Sequence, residues 1–284
     1  MYNSYNDLYV KNIYGWDFFA MKEFINTTLS IDTLQLPVQF SKDSVENIFI
    51  PLLHRLTALQ KQKGRRIVVF LGAPIGSGKS VTFAYLEKLS RELEGVEPIQ
   101  ALGLDGFHFS NEYLLSHDME VDGKMQKMRT VKGWVETFDV EKLHSKLTAI
   151  RAGENVLCPI YDRTLHDPVD DQIHINANIV MVEGLWMLYG KNRWADVQAL
   201  ADYRIAMMSK VENLRHRAVA RKIRNGMTPE AALEFFNRSD LAATARIITN
   251  MGPADLYLES FPDNDIIDLG GKPEDMRPYY VDEE

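Results

Sequence analysis

The chain has 284 residues, of which 45 % are hydrophobic and 25 % are charged. This balance is typical of a globular protein, and the length suits one elaborated domain. The formal net charge of −8 argues against a general nucleic-acid binder, because that function needs clustered positive charge. Cys158 is the only cysteine, so the sequence excludes an intramolecular disulfide and a metal site built from several cysteines.

The sequence contains no feature that predicts membrane insertion or secretion. No apolar run approaches the roughly 20 residues that cross a bilayer. The first residues, Met1–Asp7, lack a basic segment followed by an apolar one, which is the pattern of a secretory signal. We therefore expect a cytoplasmic protein with neither membrane nor nucleic acid among its partners.

Residues 1–63 are predicted to form a helical flank that packs on the main domain. The apolar residues that carry this prediction lie near helical spacing between Ser41 and Gly64, and they are Val45, Ile48, Leu52, Leu53 and Leu56.

Beyond residue 64 the pattern changes to short apolar runs that alternate with helical stretches. Ile67–Leu71 is a continuous apolar run, typical of a strand buried on both faces. The further predicted strands are Ile99–Leu104, Val156–Tyr161, Ile179–Val182 and Tyr203–Met208. The predicted helices are Ser80–Leu93, Val140–Arg151, Arg193–Leu200 and Val211–Arg224. The alternation predicts an α/β fold, a three-layer sandwich with a mostly parallel central sheet.

A glycine-rich phosphate-binding loop (P-loop) follows the first of these strands. Its predicted nucleotide-binding residues are Ala73, Pro74, Ile75, Gly76, Ser77, Gly78, Lys79, Ser80 and Val81, with Ala73 where the strict pattern has glycine. Such a loop surrounds an anion with backbone N–H groups, and the following helix start adds its positive end. Lys79 is predicted to reach the outer phosphates and Ser80 to ligate Mg²⁺. A chance glycine-rich turn is the alternative, which the strand before the loop and the helix after it disfavour.

Two acidic residues are predicted at the ends of neighbouring strands. Asp105 follows the second strand, and Glu183 follows Ile179–Val182. Because the carboxyl ends of parallel strands converge on the ligand crevice, we expect both near the phosphates. Asp105 is then placed to accept the proton of an attacking hydroxyl, and Glu183 to hold Mg²⁺ through water. The alternatives are a turn residue for Asp105 and a solvent-facing acid for Glu183.

The order of these elements, from roughly residue 65 to 225, resembles the phosphoribulokinase, uridine kinase and bacterial pantothenate kinase group of P-loop kinases. The matching segments are Asp105–His108 with Asn111, Lys132–Asp139 with Val135 in place of a proline, Pro159–Arg163, His166–Val169 and Val182–Leu185. The resemblance implies ATP and Mg²⁺ as cofactors and the same roles for Lys79, Ser80, Asp105 and Glu183. It also implies a mobile lid rich in arginine.

The stretch that matches the lid is Arg215–Arg224. Arg217 and Arg221 lie four residues apart, so they share one face of the predicted helix. Both are predicted to stabilise charge that develops during transfer, and a solvated basic helix is the alternative for either one. The predicted organisation is one kinase domain over residues 1–284, with the flank at 1–63, the core at 64–270, the lid at about 211–238 and the tail at 271–284, which ends in frayed acidic residues.

Four residues are predicted to bind the phosphoryl acceptor, and they are His108, Tyr161, Arg163 and Lys132. Arg163 suits a carboxylate or phosphate of the substrate, and its alternative is an ion pair with Asp162 or Asp167 that fixes the loop. Hydrogen bonding within its own loop is the alternative for His108, and solvation is the alternative for Lys132.

The predicted function is Mg-ATP-dependent transfer of the γ-phosphoryl group to a hydroxyl of a small metabolite. The segments mix features of pantothenate kinase and uridine kinase, so a nucleoside, a sugar and a pantothenate-like compound all remain candidate acceptors. A regulatory nucleotide-binding protein or slow ATPase with the same fold is the alternative function. The resemblance to pantothenate kinase also implies a homodimer.

Overall fold

The computed structural model describes residues 22–31, 34–121 and 123–282, and a six-stranded sheet runs through them. The strands are β1 (Phe24–Ile31), β2 (Leu34–Ser41), β3 (Ile67–Gly72), β4 (Ile99–Gly103), β5 (Asp118–Val121), β6 (Lys124–Lys127), β7 (Val156–Asp162), β8 (Asp167–Ile175), β9 (Ile179–Gly184), β10 (Tyr203–Met208), β11 (Leu256–Ser260) and β12 (Ile266–Asp268). The helices are α1 (Lys42–Ser44), α2 (Ile50–Lys63), α3 (Lys79–Glu92), α4 (Asn111–Ser116), α5 (Val140–Arg151), α6 (Arg193–Gln198), α7 (Val211–Arg224), α8 (Pro229–Phe235) and α9 (Leu241–Thr249).

The central sheet has the strand order β12-β11-β10-β3-β9-β4. Neighbouring strands are parallel from β11 to β4, and β12 is antiparallel to β11. Because β3 lies between β10 and β9, the loop that follows β3 starts in the middle of the sheet edge. The carboxyl ends of β4 and β9 lie on one side of that loop, and those of β10 and β11 lie on the other.

Side chains of the central strands alternate between two hydrophobic cores. Val68 and Phe70 of β3 face a core that includes residues of α5, α6 and α9. Val69 and Leu71 face the opposite core, which includes residues of α2 and α3. Strands buried on both faces read as continuous apolar runs, which is the pattern that predicted them. The predicted three-layer α/β sandwich is confirmed.

The prediction of a helical flank over residues 1–63 is wrong for Phe24–Ile31 and Leu34–Ser41, which are strands. β1 and β2 form an antiparallel hairpin in which Ile31 pairs with Leu34. The β-branched residues of this segment fit an extended, half-buried surface better than a helix. From Lys42 to Lys63 the chain is helical as predicted, with one wider turn at Val45–Phe49. Residues 1–21 lie outside the described ranges.

The segment Val156–Tyr161 is a strand as predicted, but it lies outside the central sheet. It belongs to β7, which pairs antiparallel with β8 in a separate two-stranded sheet. The sequence of β8 is polar and gives no apolar signal, so the pairing partner was not predicted. β11 and β12 were also missed, because strands of five and three residues carry little periodicity.

The tail packs against the domain rather than fraying at its last described residues. Tyr279 is buried, and its hydroxyl group donates a hydrogen bond of 3.0 Å to Glu259 Oε2. Asp282 forms an ion pair with Arg215 of α7, so the predicted frayed end is wrong for Asp282. Glu283 and Glu284 lie outside the described ranges. In the part of the chain that the structure describes, no helix is long and apolar enough to span a bilayer.

Candidate active site

The P-loop joins the end of β3 to the start of α3. Gly76 and Gly78 have φ angles of 86° and 87°, a region that side-chain-bearing residues rarely adopt. A Cβ atom on Gly76 would lie 2.8 Å from the carbonyl oxygen of Leu214, so α7 lies directly against the loop. The first N–H groups of α3 have no acceptor within the helix. Loop and helix start together have the backbone geometry that suits an anion, and the binding of phosphates by Ala73–Ser80 stays a prediction.

Arg217 of α7 binds the backbone of the P-loop. Its Nη1 donates to the carbonyl oxygens of Ser77 at 2.9 Å and Gly76 at 3.3 Å. Ser260, at the end of β11, donates from Oγ to the same Ser77 oxygen at 2.6 Å. Burial lowers the pKa of Arg217. The structure thus places Arg217 where it holds the loop, and Ser260 is a loop contact that was missed because β11 was not predicted.

Ser80 and Glu183 meet beside the P-loop. Glu183 is the last residue but one of β9 and lies in register with Leu71 of β3 on one side and Gly103 of β4 on the other. Ser80 Oγ donates to Glu183 Oε1 at 3.3 Å. Glu183 Oε2 is buried, and no hydrogen-bond partner for it occurs among the described residues. Burial raises the pKa of Glu183, against the opposing effect of Lys79.

These two residues fit a magnesium ion that arrives with a nucleotide. Mg²⁺ at phosphate-transfer sites takes one or two carboxylates and completes its shell with phosphate oxygens and water. Ser80 offers a hydroxyl, and the unpartnered Glu183 Oε2 offers a carboxylate oxygen. No cluster of three or more His, Cys, Asp or Glu ligands occurs within the described ranges. The donor set therefore suits a cation bound jointly by protein and phosphate.

Asp105 lies in the 3₁₀ turn Leu104–Phe107 that follows β4. Arg163 Nη2 donates to Asp105 Oδ2 at 3.1 Å. The Asp162 carboxylate instead accepts the backbone N–H groups of Thr164 and Leu165, which closes the turn between β7 and β8. The structure thus adds a partner for Arg163 that the sequence did not indicate, since the two residues are 58 positions apart.

Gly106 allows the β7–β8 hairpin to approach the turn that carries Asp105. A Cβ atom at this position would lie 2.6 Å from the carbonyl oxygen of Pro159. Real Cβ atoms are essentially never that close to another heavy atom. A glycine is therefore required at position 106 for the close packing of the Asp105 turn against β7.

We expect the Gly106→Ala substitution to lower the free energy of unfolding by about 1–3 kcal/mol, because the added methyl group overpacks this contact. The backbone next to Asp105 must shift to relieve this contact, and we expect that shift also to slow turnover. Gly103→Ala is the matched control, since nothing lies within 4 Å of its Cβ position and its φ of −85° suits alanine. Chemical denaturation measures both variants, and equal stability of the two would contradict the expectation.

The residues predicted to bind the acceptor form one cluster around Tyr161. The Tyr161 hydroxyl group and Lys132 Nζ both donate to the carbonyl oxygen of His166 at 2.8 Å. Lys132 Nζ lies 5.0 Å from the centroid of the Tyr161 ring, and the Arg163 guanidinium carbon lies 5.2 Å from it. Desolvation lowers the pKa of Lys132. His108 completes the cluster, with its ring 5.6 Å from the Tyr161 ring.

His108 packs between the Asp105 turn and a core aromatic residue. Its Nδ1 lies 2.9 Å from the carbonyl oxygen of Asp105, and its ring centroid lies 3.8 Å from that of Phe138. Burial lowers the pKa of His108 below its usual 6.5. The hydrogen bond within its own loop, given as an alternative to substrate contact, is therefore present.

The lowered pKa of His108 predicts a pH dependence of stability. Below pH 6.5 the unfolded chain binds a proton at this residue that the folded chain does not, so the free energy of unfolding should fall as pH falls from 6.5 toward the lowered pKa. His108→Gln is expected to remove this contribution, whose slope is at most about 1.4 kcal/mol per pH unit. Denaturation of both proteins between pH 5 and 8 measures it. A difference in the free energy of unfolding between the two proteins that stays constant across that range would contradict the prediction.

Arg221 of α7 interacts electrostatically with two residues of the site, Asp105 and Arg163. The residue is exposed, and partial desolvation lowers its pKa against the attraction of Asp240. The neighbouring Lys222 forms a 2.6 Å ion pair with the buried Asp240, which joins α7 to the segment that precedes α9. α7 thus carries one arginine that binds the P-loop backbone and another that interacts electrostatically with Asp105 and Arg163.

The comparisons with known proteins agree with this site. A model of the phosphoribulokinase/uridine kinase family matches residues 68–267. The "Uncharacterized protein YggC" of Escherichia coli strain K12 is 37 % identical over 232 residues, which cover 81 % of this chain and 94 % of that protein. "Putative uridine kinase C227.14" of Schizosaccharomyces pombe is 29 % identical over 214 residues, which cover 73 % of this chain and 88 % of that protein.

A solved structure supports the same assignment. It is described as that of a "putative fructose transport system kinase" from Silicibacter sp. TM1040. It matches with a TM-score of 0.61 and 26 % identity, over 72 % of this chain and 98 % of that one. The region that the family model matches extends from β3 to β12, so it includes the P-loop, Asp105 and Glu183. This chain belongs to the phosphoribulokinase/uridine kinase family of P-loop kinases.

Proposed function

We propose that this protein is a Mg-ATP-dependent kinase that transfers the γ-phosphoryl group of ATP to a hydroxyl of a small metabolite. The observation that carries the proposal is the pair of carboxylates beside the P-loop. Glu183 has a buried oxygen without a partner among the described residues, which suits a metal ion, whereas Asp105 lies farther out and is half-exposed. Glu183 thus suits the metal ion that accompanies the donor phosphates, and Asp105 suits the hydroxyl of the acceptor.

In this mechanism the P-loop N–H groups and Lys79 hold the triphosphate. Ser80 and Glu183 would hold a Mg²⁺ ion that arrives with the nucleotide, and that ion would neutralise phosphate charge. Asp105 accepts the proton of the acceptor hydroxyl while the oxygen of that hydroxyl forms the new bond to the γ-phosphorus. The bond to the bridging oxygen breaks, and ADP leaves. We assign to Arg221 the stabilisation of charge on the transferred group, and its electrostatic interaction with Asp105 and Arg163 supports this role.

The Asp105–Arg163 ion pair gives Arg163 a role in acceptor binding. Arg163 occupies one oxygen of Asp105, the proposed base. Because both side chains are about half-exposed, an entering substrate can replace this contact. A surface pair of this kind contributes little stability, so its exchange costs little. Tyr161, Lys132 and His108 then line the same space. We infer that the acceptor binds between β7 and the Asp105 turn.

The identity of the acceptor is the property to test first. Relatives of this chain are named for uridine and for fructose, and a pantothenate-like acceptor fits the resemblance seen in the sequence. ADP release with Mg-ATP should be measured for a panel of nucleosides, sugars and hydroxy acids. We expect one class to raise the rate well above the acceptor-free rate. ADP release at one rate across the whole panel would instead support the slow ATPase.

A further inference from the structure

The position of α7 matters to the whole site, because this helix carries two arginines that act on it. Arg217 donates hydrogen bonds to carbonyl oxygens of the P-loop, and Arg221 interacts electrostatically with Asp105. The carbonyl group of Leu214 also lies against Gly76. A displacement of α7 would therefore release the P-loop backbone and withdraw a positive charge from Asp105.

The apolar packing of α7 is limited. Its buried face belongs to a cluster that is separate from the two main cores and far smaller than either of them. The buried members of this cluster are Val211, Leu214, Ala218 and Phe236. Elements with few buried apolar contacts open locally at a lower free energy than the rest of a domain. We therefore expect polar contacts to contribute much of what holds α7 in place.

The tail is anchored in the rigid part of the domain. Tyr279 is buried in the core that includes α9, and its hydroxyl group donates to Glu259 Oε2 at 3.0 Å. Burial and this carboxylate raise the pKa of Tyr279 to about 12, so the hydroxyl group keeps its proton at neutral pH. The backbone N–H of Val281 donates to the carbonyl oxygen of Arg277 at 2.8 Å, which closes a turn at the anchor.

Beyond this anchor, Asp282 forms its ion pair with Arg215 of α7. The two side chains are only 26 % and 19 % exposed, so water and salt screen this pair less than a pair on an open surface. Arg215 and Arg217 are two positions apart, which places them about 200° apart around the helix. The tail therefore holds α7 from the face that points away from the P-loop.

We propose that Asp282 is a positioning residue that keeps α7 docked on the P-loop, with Tyr279–Asp282 as a strap between β11 and this helix. Because Arg217 fastens the loop that surrounds the phosphates, a bound nucleotide is expected to leave when α7 opens, and the strap slows that opening. The effect on nucleotide release rests on the proposed function, whereas the effect on α7 does not.

Hydrogen–deuterium exchange of the full chain measures the opening of α7. Loss of the carboxylate charge in Asp282→Asn is expected to raise the exchange rate of the α7 amides about 2- to 5-fold. Asp282→Arg brings two positive side chains together and should raise this rate further. Asp282→Glu keeps the charge and should restore the wild-type rate. Glu274→Gln is the matched control, because Glu274 is exposed on the same tail.

Nucleotide release is the readout that a merely structural contact would not change. Stopped-flow displacement of a fluorescent ATP analogue by excess ATP gives the dissociation rate of the analogue. We expect this rate in Asp282→Asn to rise by the same factor as the exchange rate of α7. The association rate should stay within about twofold of the wild type, since the strap acts on opening of the occupied site.

The outcomes separate this inference from the proposed kinase activity. Equal α7 exchange in Asp282→Asn and Glu274→Gln would overturn the strap. Faster exchange in every element would also overturn it, since the tail would then act on global stability. Faster exchange confined to α7 with an unchanged dissociation rate would overturn the positioning role of Asp282. Faster exchange and faster release, together with acceptor-independent ADP release by the wild type, would support the strap and reject the kinase.

Discussion

The Asp105→Asn variant is expected to transfer phosphoryl groups about 10²–10⁴ times more slowly than the wild type, while ATP binding stays nearly intact. Asparagine has the same shape and still accepts a hydrogen bond from Arg163, but its amide cannot take up the proton of an attacking hydroxyl. The measurement is single-turnover ADP formation with saturating Mg-ATP and the best acceptor of the panel. Calorimetry with ATP supplies the binding constant.

The matched control for this substitution is Asp196→Asn. Asp196 is exposed on α6, where it pairs with Arg193, so its replacement should leave transfer unchanged. Full transfer by Asp105→Asn would show that another group is the base. A regulatory nucleotide-binding protein needs no base at this position, so the same experiment also distinguishes the kinase from that alternative.

The Lys79→Ala variant is expected to lose both affinity for ATP and turnover, with kcat reduced by at least about 10²–10³. Lys79 is the first residue of α3, and it is the positive group that opposes the raised pKa of Glu183. Without it, the outer phosphates lose their ammonium partner, and the buried carboxylate loses a compensating charge. ATP affinity and ADP formation are measured as for Asp105→Asn.

Lys61→Ala serves as the control for the loss of a positive charge, because Lys61 is exposed in the last turn of α2. We expect it to behave as the wild type. Normal affinity and rate in Lys79→Ala would argue against the assignment of the P-loop as the triphosphate site. A folded variant that binds ATP less well but turns over at the normal rate would limit Lys79 to ground-state binding.

The predicted site depended on signals that are local in the sequence. A strand buried on both faces, two glycines before Lys79 and Ser80, and an amphipathic helix together indicated a P-loop, and each has a short-range physical cause. Asp105 and Glu183 were both predicted to lie near the phosphates because neighbouring parallel strands end at one edge, and β4 and β9 are indeed neighbours. The roles of all these residues, and the predicted homodimer, stay predictions.

The contacts between residues far apart in the chain could not be predicted from such local signals. Arg163 lies against Asp105 because the β7–β8 hairpin packs over the turn at Gly106. The polar sequence of β8 contains no pattern that predicts a strand. Arg217 was predicted to act on the triphosphate, yet it donates hydrogen bonds to P-loop carbonyl groups, because α7 packs directly on Gly76. Such contacts depend on how whole elements pack.

The sequence by itself determined the α/β class, the central parallel strands and the position of the P-loop, because burial on both faces and glycine backbone freedom act within a few residues. Only the tertiary structure decided that β1 and β2 form a hairpin beside Asn264, and that Arg163, Tyr161 and Lys132 share one cluster. Those arrangements follow from packing between segments far apart in the chain, which no local periodicity encodes.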